Sequence, residues 1–142
     1  MVIASAAMAL GACAGEMDPG PSQIAEETNP VLLAVPTEPT ISFSVWFRVG
    51  SQNDPIGKEG LAYLTGEMLA DASTENNRYE EILEKLYPIA SSYRIRVDRE
   101  MSTLTGRTHR DNIDIFSSLF MDAYLLPAFD DSDFQRIKAD TI

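Results

Sequence analysis

The sequence predicts an α+β fold in which an antiparallel or mixed sheet carries helices packed on one face. Two kinds of pattern lead to this prediction: alternation of apolar and polar residues, which is typical of strands, and apolar residues spaced three and four apart, which are typical of helices. The patterns follow one another in the order β, β, α, α, β, β, α, α. They occupy residues 31–35, 41–49, 60–71, 79–87, 92–98, 101–108, 111–126 and 131–142.

The first two predicted strands lie close together in the sequence. VLLAV at 31–35 is a short apolar run that the prolines of PTEPT end in a turn. In ISFSVWFRV at 41–49 every second residue is apolar, so one face of this strand is expected to lie in the core. That face comprises Ile41, Phe43, Val45, Phe47 and Val49. Trp46 lies on the opposite face and suggests that this side is partly covered as well, by another domain or chain. GSQNDPIGKEG at 50–60 is a loop.

The next two elements are predicted helices. The helix at 60–71 has a buried stripe made of Leu61, Leu64, Met68 and Leu69, and the polar segment ASTENN ends it. The helix YEEILEKLY at 79–87 places Ile82, Leu83 and Leu86 at helical spacing. Pro88 ends this second helix because proline lacks a backbone N–H and restricts the residue before it.

The second half of the chain repeats the order of strands and then helices. SYRIRVD at 92–98 and MSTLTGRT at 101–108 are strands that should be antiparallel, because they are joined closely. Asp111 is a candidate N-cap for a helix that runs to about Leu126, before Pro127. Its apolar face comprises Ile115, Phe116, Leu119, Phe120 and Ala123. A last helix, with Phe134 and Ile137 on one side, is still running at Ile142, so the domain at 31–142 is expected to be truncated at its C-terminus.

Composition excludes one class of partner. The chain has 142 residues, enough for one domain with a core. Apolar residues make up 44% and charged residues 23%, as in ordinary globular proteins. The formal net charge of -11 repels phosphate backbones, and no Lys/Arg cluster in the sequence reverses it locally. A nucleic-acid partner is therefore not expected.

The N-terminal segment predicts export. Residues 2–13, VIASAAMALGAC, are apolar and small, too short for a membrane-spanning helix but as long as a signal-peptide core. The stretch LGAC, which ends at Cys13, resembles the lipobox of bacterial lipoproteins, whose cysteine is acylated. The acidic segment 14–30, rich in Pro and Gly, then serves as a flexible linker. We therefore expect a periplasmic protein that contacts the membrane only through lipid on Cys13.

Two other interpretations of this segment stay open. No Lys or Arg precedes the apolar run, although a secretory signal requires one, so the true start of the signal peptide is expected upstream. Alternatively, residues 1–13 are an Ala-rich N-terminus in which Cys13 is an incidental free or buried thiol. As the single cysteine, Cys13 cannot form an internal disulfide.

The order of short motifs in residues 31–142 resembles a known family. FRVGSQND is followed by GKEGLAYLTGEML, then by the helix and strand pair of YEEILEKLYPIASSYRIRVDREMSTLTGRT, and then by LLPAFDDSDFQRIKAD. Together these segments are similar to the N-terminal domain of the pitrilysin/insulinase metallopeptidases. The resemblance implies a two-layer architecture shared with LuxS-like metalloenzymes. It also implies an inverted zinc motif, H-x-x-E-H, directly after Gly-Leu-Ala.

The residues at the motif positions differ from the family's pattern. Tyr63 stands in place of the first histidine, Gly66 in place of the glutamate and Glu67 in place of the second histidine. Zinc hydrolysis needs two neutral imidazoles as ligands and a carboxylate that takes a proton from metal-bound water. A tyrosine phenol, with a pKa near ~10, is a poor ligand at neutral pH, and glycine has no side chain. We therefore expect neither catalytic nor metal-binding residues here, and no zinc cofactor.

The alternative is a plain amphipathic helix with no lost function. In that case Tyr63 packs, Gly66 permits close approach and Glu67 faces water. The family's remaining zinc ligand is a glutamate on the helix beyond Phe129, but no Glu occurs from Phe129 onward. His109, the single histidine, lies at a predicted strand end and is expected at the surface.

Three functions remain in view. The preferred one is a noncatalytic insulinase-like domain that forms a structural or peptide-binding half of a peptidase assembly. Its partner would be an active peptidase subunit or the rest of a longer chain, and an extended peptide could add to a sheet edge. The second is an active zinc metalloendopeptidase that uses Glu67 and atypical ligands. The third is a lipoprotein adaptor unconnected with proteolysis.

Overall fold

The computed structural model describes residues 30–141. The chain divides into two units, Met1–Ala34 and Val35–Ile142, and the described part of the first, residues 30–34, has neither helix nor strand. In the described part of the second unit the order is β1 (Thr40–Phe47), α1 (Leu61–Ala70), α2 (Tyr79–Leu86), β2 (Ser92–Val97), β3 (Ser102–His109), α3 (Ile113–Leu125) and α4 (Asp131–Thr141). The signal-peptide and lipobox prediction at 1–13 lies outside the described residues, as does the predicted linker apart from Pro30.

The strands form an antiparallel sheet in the order β1-β3-β2, so the central strand is the last of the three in sequence. Val45 pairs with Leu104, and Leu104 pairs with Ile95 on the other side, which puts an apolar row across the sheet. The α+β prediction and the predicted antiparallel pairing of the two later strands are therefore confirmed.

One face of the sheet carries the helices and holds the main core. Alternation on each strand sends Phe43, Tyr93 and Leu104 to this inner face, where they meet the apolar side of α3. The most deeply buried large side chains are Phe116, Phe120, Ile82 and Leu104. A second, smaller cluster forms between α1 and α4 around Met68, Ala72 and Ile137.

Gly106 on β3 allows α3 to lie against the sheet. A Cβ at this position would lie 2.6 Å from Cζ of Phe116 and 3.0 Å from Cδ2 of Phe120. The ring centroids of those two phenylalanines are 5.9 Å apart, and Phe43 lies 5.5 Å from Phe116. Any side chain at residue 106 would displace this aromatic cluster, so the glycine is required by packing.

The strand predicted at 31–35 is wrong. These residues have no regular secondary structure, and the side chains of Val31, Leu32 and Leu33 are 86%, 88% and 83% exposed. A strand needs a neighbour that pairs with its backbone N–H and C=O groups, and the described sheet contains only β1, β3 and β2. Apolar content without alternation was therefore not enough to define a strand.

Several smaller predictions also need correction. Asp111 is not the cap of α3, because the helix begins at Ile113 after a short 3-10 turn and the backbone N–H of Asp111 donates to Nδ1 of His109. Three apolar residues assigned to buried helix faces are exposed: Leu61, Leu83 and Ile115. The indole of Trp46 is 69% exposed among the described residues, so its cover by another domain or chain stays a prediction. None of the helices within residues 30–141 is long and apolar enough to cross a membrane.

Candidate functional site

The candidate site is built on α1, whose start is fixed by a residue outside the helix. Gly60 precedes the helix with φ of 93°, a left-handed conformation that favours glycine. The carboxylate of Asp54 accepts hydrogen bonds from the backbone N–H of Gly60 (2.7 Å) and of Ala62 (2.8 Å). Asp54 therefore caps α1 from a distance, and its negative charge lies at the positive end of the helix.

The sheet-facing side of α1 comes close to β2 at Gly66. This glycine is buried, and a Cβ built on it would lie 2.8 Å from Cγ2 of Val97 and 3.2 Å from Cγ2 of Ile95. The second distance is tighter than ordinary contact and the first requires a neighbour to shift. The interpretation that Gly66 permits close approach of helix and sheet agrees with this geometry.

Tyr63 and Glu67 lie one turn apart on the more exposed side of α1. Tyr63 is 43% exposed, so it does not pack as expected, and its phenol lies near the carboxylate of Glu67, which is half-buried. The carboxylate charge of Glu67 raises the pKa of Tyr63. Burial, followed by the nearby charge of Asp71, raises the pKa of Glu67. Both effects favour the neutral forms of these side chains.

Asp71, just after α1, extends this cluster toward α4. Burial raises the pKa of Asp71, while the positive charge of Arg136 and a hydrogen bond with Glu67 oppose that rise. Arg136 donates to the backbone carbonyl of Asp71 and lies 4.2 Å from the ring centroid of Tyr79, as a cation–π contact.

Asp133 on α4 joins this end of α1 to the last helix. Its Oδ2 accepts from the backbone N–H of Ser73 (2.8 Å), and its Oδ1 accepts from Nη2 of Arg136 (2.9 Å). Burial acts to raise the pKa of Asp133, but the hydrogen bonds from Ser73 and the contact with Arg136 outweigh it, so the pKa is lowered. Both carboxylate oxygens of Asp133 therefore accept hydrogen bonds from residues of the same domain.

The donors present do not fit a hydrolytic zinc ion. Tyr63 offers a phenol and not an imidazole, and Gly66 offers no side chain and no space for one. Among residues 30–141, no three His, Cys, Asp or Glu side chains come together in a way that could hold a metal ion. His109 accepts a hydrogen bond from the backbone N–H of Asp111 and lies at the opposite end of β3 from Ser102, which lines a pocket beside Gly66. No chemical step is therefore assigned to a metal here.

Two pockets flank α1 in the described part of the chain. An apolar pocket of about 300 Å³ lies where Phe47, Val49 and Ile95 approach Gly66. A smaller one, about 210 Å³, lies between Leu64 and Phe134 on α4. The helix thus has open space on two sides, unlike α3, in which Phe116, Leu119, Phe120 and Ala123 are buried.

Sequence reasoning missed parts of this site. It did not assign Asp54 as a cap, because the residue lies six positions before Gly60 in a loop. It also missed the link from Asp71 through Arg136 to Asp133. The spacing of Glu67 and Asp71, four residues apart, was the available signal that two carboxylates share a helix face.

Solved structures share this fold. A protease from Helicobacter pylori is 19% identical with a TM-score of 0.64, and the match covers 72% of this chain and 25% of that chain. A peptidase M16 inactive domain from Pseudomonas fluorescens is 21% identical with a TM-score of 0.62, again covering 72% of this chain and 25% of that one. The described fold thus spans about a quarter of the length of these proteins. No curated protein sequence matches the chain.

Structural similarity at about 20% identity shows the fold but not the family, and a family model supplies the family. Residues 31–141 match the model of insulinase, peptidase family M16. The match includes α1 and every other strand and helix of the described structure. It agrees with the resemblance carried by the segments around Gly-Leu-Ala. The chain therefore belongs to the insulinase family, peptidase family M16.

Proposed function

We propose that this chain is a noncatalytic insulinase-family domain that serves as a structural or peptide-binding half of a peptidase assembly. The observation that carries the proposal is the donor set on α1: Tyr63 and Glu67 stand where two imidazoles would be needed, and Gly66, which is packed against Val97, stands where a general base would be needed. A hydrolytic zinc centre requires ligands and a general base that these side chains do not supply. The inactive M16 domain from Pseudomonas fluorescens supports the idea that the fold is used without catalysis in this family.

Binding of an extended peptide is the activity proposed for the sheet. Within the described residues, β1 and β2 are both edge strands, because β3 lies between them. An edge strand offers unpaired N–H and C=O groups that a peptide can pair with as an additional strand. The partner would be an active peptidase subunit that carries H-x-x-E-H, or the rest of a longer chain.

We further propose that the domain works in the bacterial periplasm and is attached to the membrane through lipid on Cys13. The support is the apolar run at 2–13 and the LGAC stretch at its end. Metabolic labelling with a fatty-acid analogue in a bacterial host should label the wild-type chain and not the Cys13→Ala variant. Equal labelling of both, or of neither, would contradict the anchor.

Metal content and cleavage test the loss of catalysis. The protein is purified without chelator, equilibrated with Zn²⁺ and passed through a desalting column, and its zinc content is measured beside the Glu67→Gln variant. We expect substoichiometric zinc in both and no cleavage of an unfolded polypeptide. Stoichiometric zinc that chelator removes and that Glu67→Gln loses, together with cleavage, would establish the active metallopeptidase instead.

Hydrogen exchange tests the peptide-binding role separately. On addition of an extended peptide, backbone amides of β1 or β2 that do not pair with β3 should become protected, while those of α3 should not change. Uniform protection across the domain, or none, would argue against strand addition.

A further inference from the structure

The outer face of the sheet, opposite the helices, carries positive charge in an acidic chain. The three strands contain Arg94, Arg96 and Arg107 and no Asp or Glu, although the whole chain has a net charge of -11. Alternation places these arginines on the face away from Phe43, Tyr93 and the rest of the core. Sequence analysis found no basic cluster because the cluster forms only when the strands pair.

The register brings the arginines together with hydroxyl groups. Arg94 lies opposite Thr105, and Arg96 lies opposite Thr103. Arg107 lies in a row between Ser42 on β1 and Ser92 on β2. Adjacent strands are about 4.8 Å apart and alternate residues about 7 Å, so one short segment of a partner could reach all three guanidinium groups.

The contacts of these arginines within the domain are weak and leave donors available. Arg96 pairs with Asp98 at 3.1 Å, but their side chains are 79% and 53% exposed, and an exposed ion pair of this kind contributes little stability. Arg107 donates one hydrogen bond to the hydroxyl of Thr40 at 3.0 Å. Within the described residues, no hydrogen bond or ion pair holds the side chain of Arg94, whose backbone pairs in the sheet. Each planar guanidinium has five N–H donors, so most of them remain free to bind carboxylates.

Trp46 completes the surface. It lies in the same cross-strand row as Thr103 and Arg96, and its indole N–H donates to the hydroxyl of Ser44 at 2.8 Å, which orients the ring. Tryptophan and arginine are the residues most enriched at the energetic centres of protein–protein interfaces. An indole exposed beside arginines is thus suited to contact with a polypeptide.

We propose that this surface, made of Trp46, Arg94, Arg96 and Arg107, binds an acidic polypeptide segment whose carboxylates pair with the arginines. The observations favour a short segment over an extended anionic surface such as a membrane or a nucleic acid. At physiological ionic strength charges act over about 8 Å, so a short segment senses mainly the local arginines. An extended surface would also meet the acidic remainder of a chain whose net charge is -11.

This surface shares no residue with the α1 site and uses the side chains of the strands, not their backbone edges. The proposal does not depend on the loss of zinc chemistry, because none of its residues lies on α1. It also differs from strand addition, since the binding groups are side chains on the sheet face and not the backbone of β1 or β2.

Trp46 provides a direct test because it is the single tryptophan in the chain. Tryptophan fluorescence of the full chain is followed during titration with an eight-residue peptide that carries four glutamates, and with the same peptide carrying glutamines instead. We expect a saturable change that grows as salt is lowered with the glutamate peptide and none with the glutamine peptide. Equal responses to the two peptides, or no response to either, would overturn the proposal.

Variants locate the binding surface, with labelled-peptide anisotropy as the readout. The triple change Arg94→Gln, Arg96→Gln and Arg107→Gln should weaken binding by at least about tenfold, which corresponds to about 1.4 kcal/mol. A matched triple change of exposed basic residues elsewhere should weaken binding far less: Lys58→Gln, Arg78→Gln and Lys138→Gln. Circular dichroism checks that both triple variants are folded. An equal loss of peptide affinity in the two folded variants would show that net charge alone is responsible and would reject the surface. Binding to phosphatidylglycerol vesicles that exceeds binding to the peptide would also reject it, in favour of a membrane.

Discussion

Two helices lie on the same face of the sheet but are held there in different ways. Three of the four buried residues of α3 are large and apolar, namely Phe116, Leu119 and Phe120, and its rings contact the aromatic residues of the strands. The buried positions of α1 are Gly66, Met68 and Ala70, and its other side carries the coupled Tyr63 and Glu67. Helix α3 is held by the volume of its buried side chains. Helix α1 is held by the close approach of its backbone to the sheet and by polar contacts at its ends.

The two helices therefore contribute differently: α3 supplies stabilising burial, and α1 carries the candidate site. Filling the interior with close-packed rings contributes most of the stabilisation, because each buried aromatic side chain removes a large apolar area from water. On α1 the small buried residues bring the backbone close to β2, while titratable groups remain accessible to solvent on the other side. The packing of α3 therefore supports the fold, while the polar side chains of α1 form the candidate site.

The largest expected effect comes from truncating α3. Phe116→Ala should lower the free energy of unfolding by about 3–5 kcal/mol, because it leaves a cavity in a site where the side chain is fully buried. Urea denaturation followed by circular dichroism measures this change. Met121→Ala, at an exposed position on the same helix, is the control and should change stability by less than about 0.5 kcal/mol. Similar losses in the two variants would show that α3 is not held by core volume.

The polar end of α1 should give the next largest effect. Asp133→Asn removes the charge that pairs with Arg136 and weakens the acceptor for the N–H of Ser73, and should destabilise by about 2 kcal/mol at neutral pH. Asp140→Asn makes the same chemical change at an exposed position of α4 and should be nearly neutral.

The pH dependence of this second prediction follows from the lowered pKa of Asp133. A depressed carboxyl pKa contributes stability that is fully present above the unfolded value of about 3.9 and is lost as pH falls through the folded value. The gap between wild type and Asp133→Asn should therefore narrow below about pH 4. A gap that stays constant down to pH 2 would mean that the charge is not what holds α4 to the end of α1.

A smaller effect is expected at the contact of α1 with the sheet. Gly66→Ala gains about 1 kcal/mol of helix propensity, but its Cβ would lie 2.8 Å from Cγ2 of Val97. The cost of this overpacking exceeds the gain, so the free energy of unfolding should fall by about 1 kcal/mol. Combining it with Val97→Ala should cost less than the sum of the two single changes, as a double-mutant cycle in urea would measure. Additive losses would show that Gly66 and Val97 do not limit the approach of the helix.

The sequence predicted these two helices unequally well. The face of α3 was correct at Phe116, Leu119, Phe120 and Ala123, because large apolar side chains at helical spacing report burial directly. On α1 it assigned Leu61 to the core, where the structure exposes that side chain and buries Gly66. Glycine gives no periodic apolar signal, and its burial depends on how closely β2 approaches. The run at 31–35 failed for a similar reason, since pairing partners cannot be read from local composition.

The smallest predicted effect concerns the charge on α1 and has the opposite sign. Burial and the neighbouring Asp71 raise the pKa of Glu67, so ionising this carboxyl costs stability in the folded chain. A raised folded pKa contributes stability that is present below the unfolded value of about 4.3 and is lost as pH rises through the folded value. Glu67→Gln should therefore raise the unfolding free energy by about 0.5 kcal/mol at pH 7 and lose this advantage near pH 4. Thermal unfolding at the two pH values measures this effect, with the exposed Glu84→Gln of α2 as control. If both variants gain equally at pH 7, a general reduction of the acidic net charge is responsible, and the burial of Glu67 beside Asp71 is not.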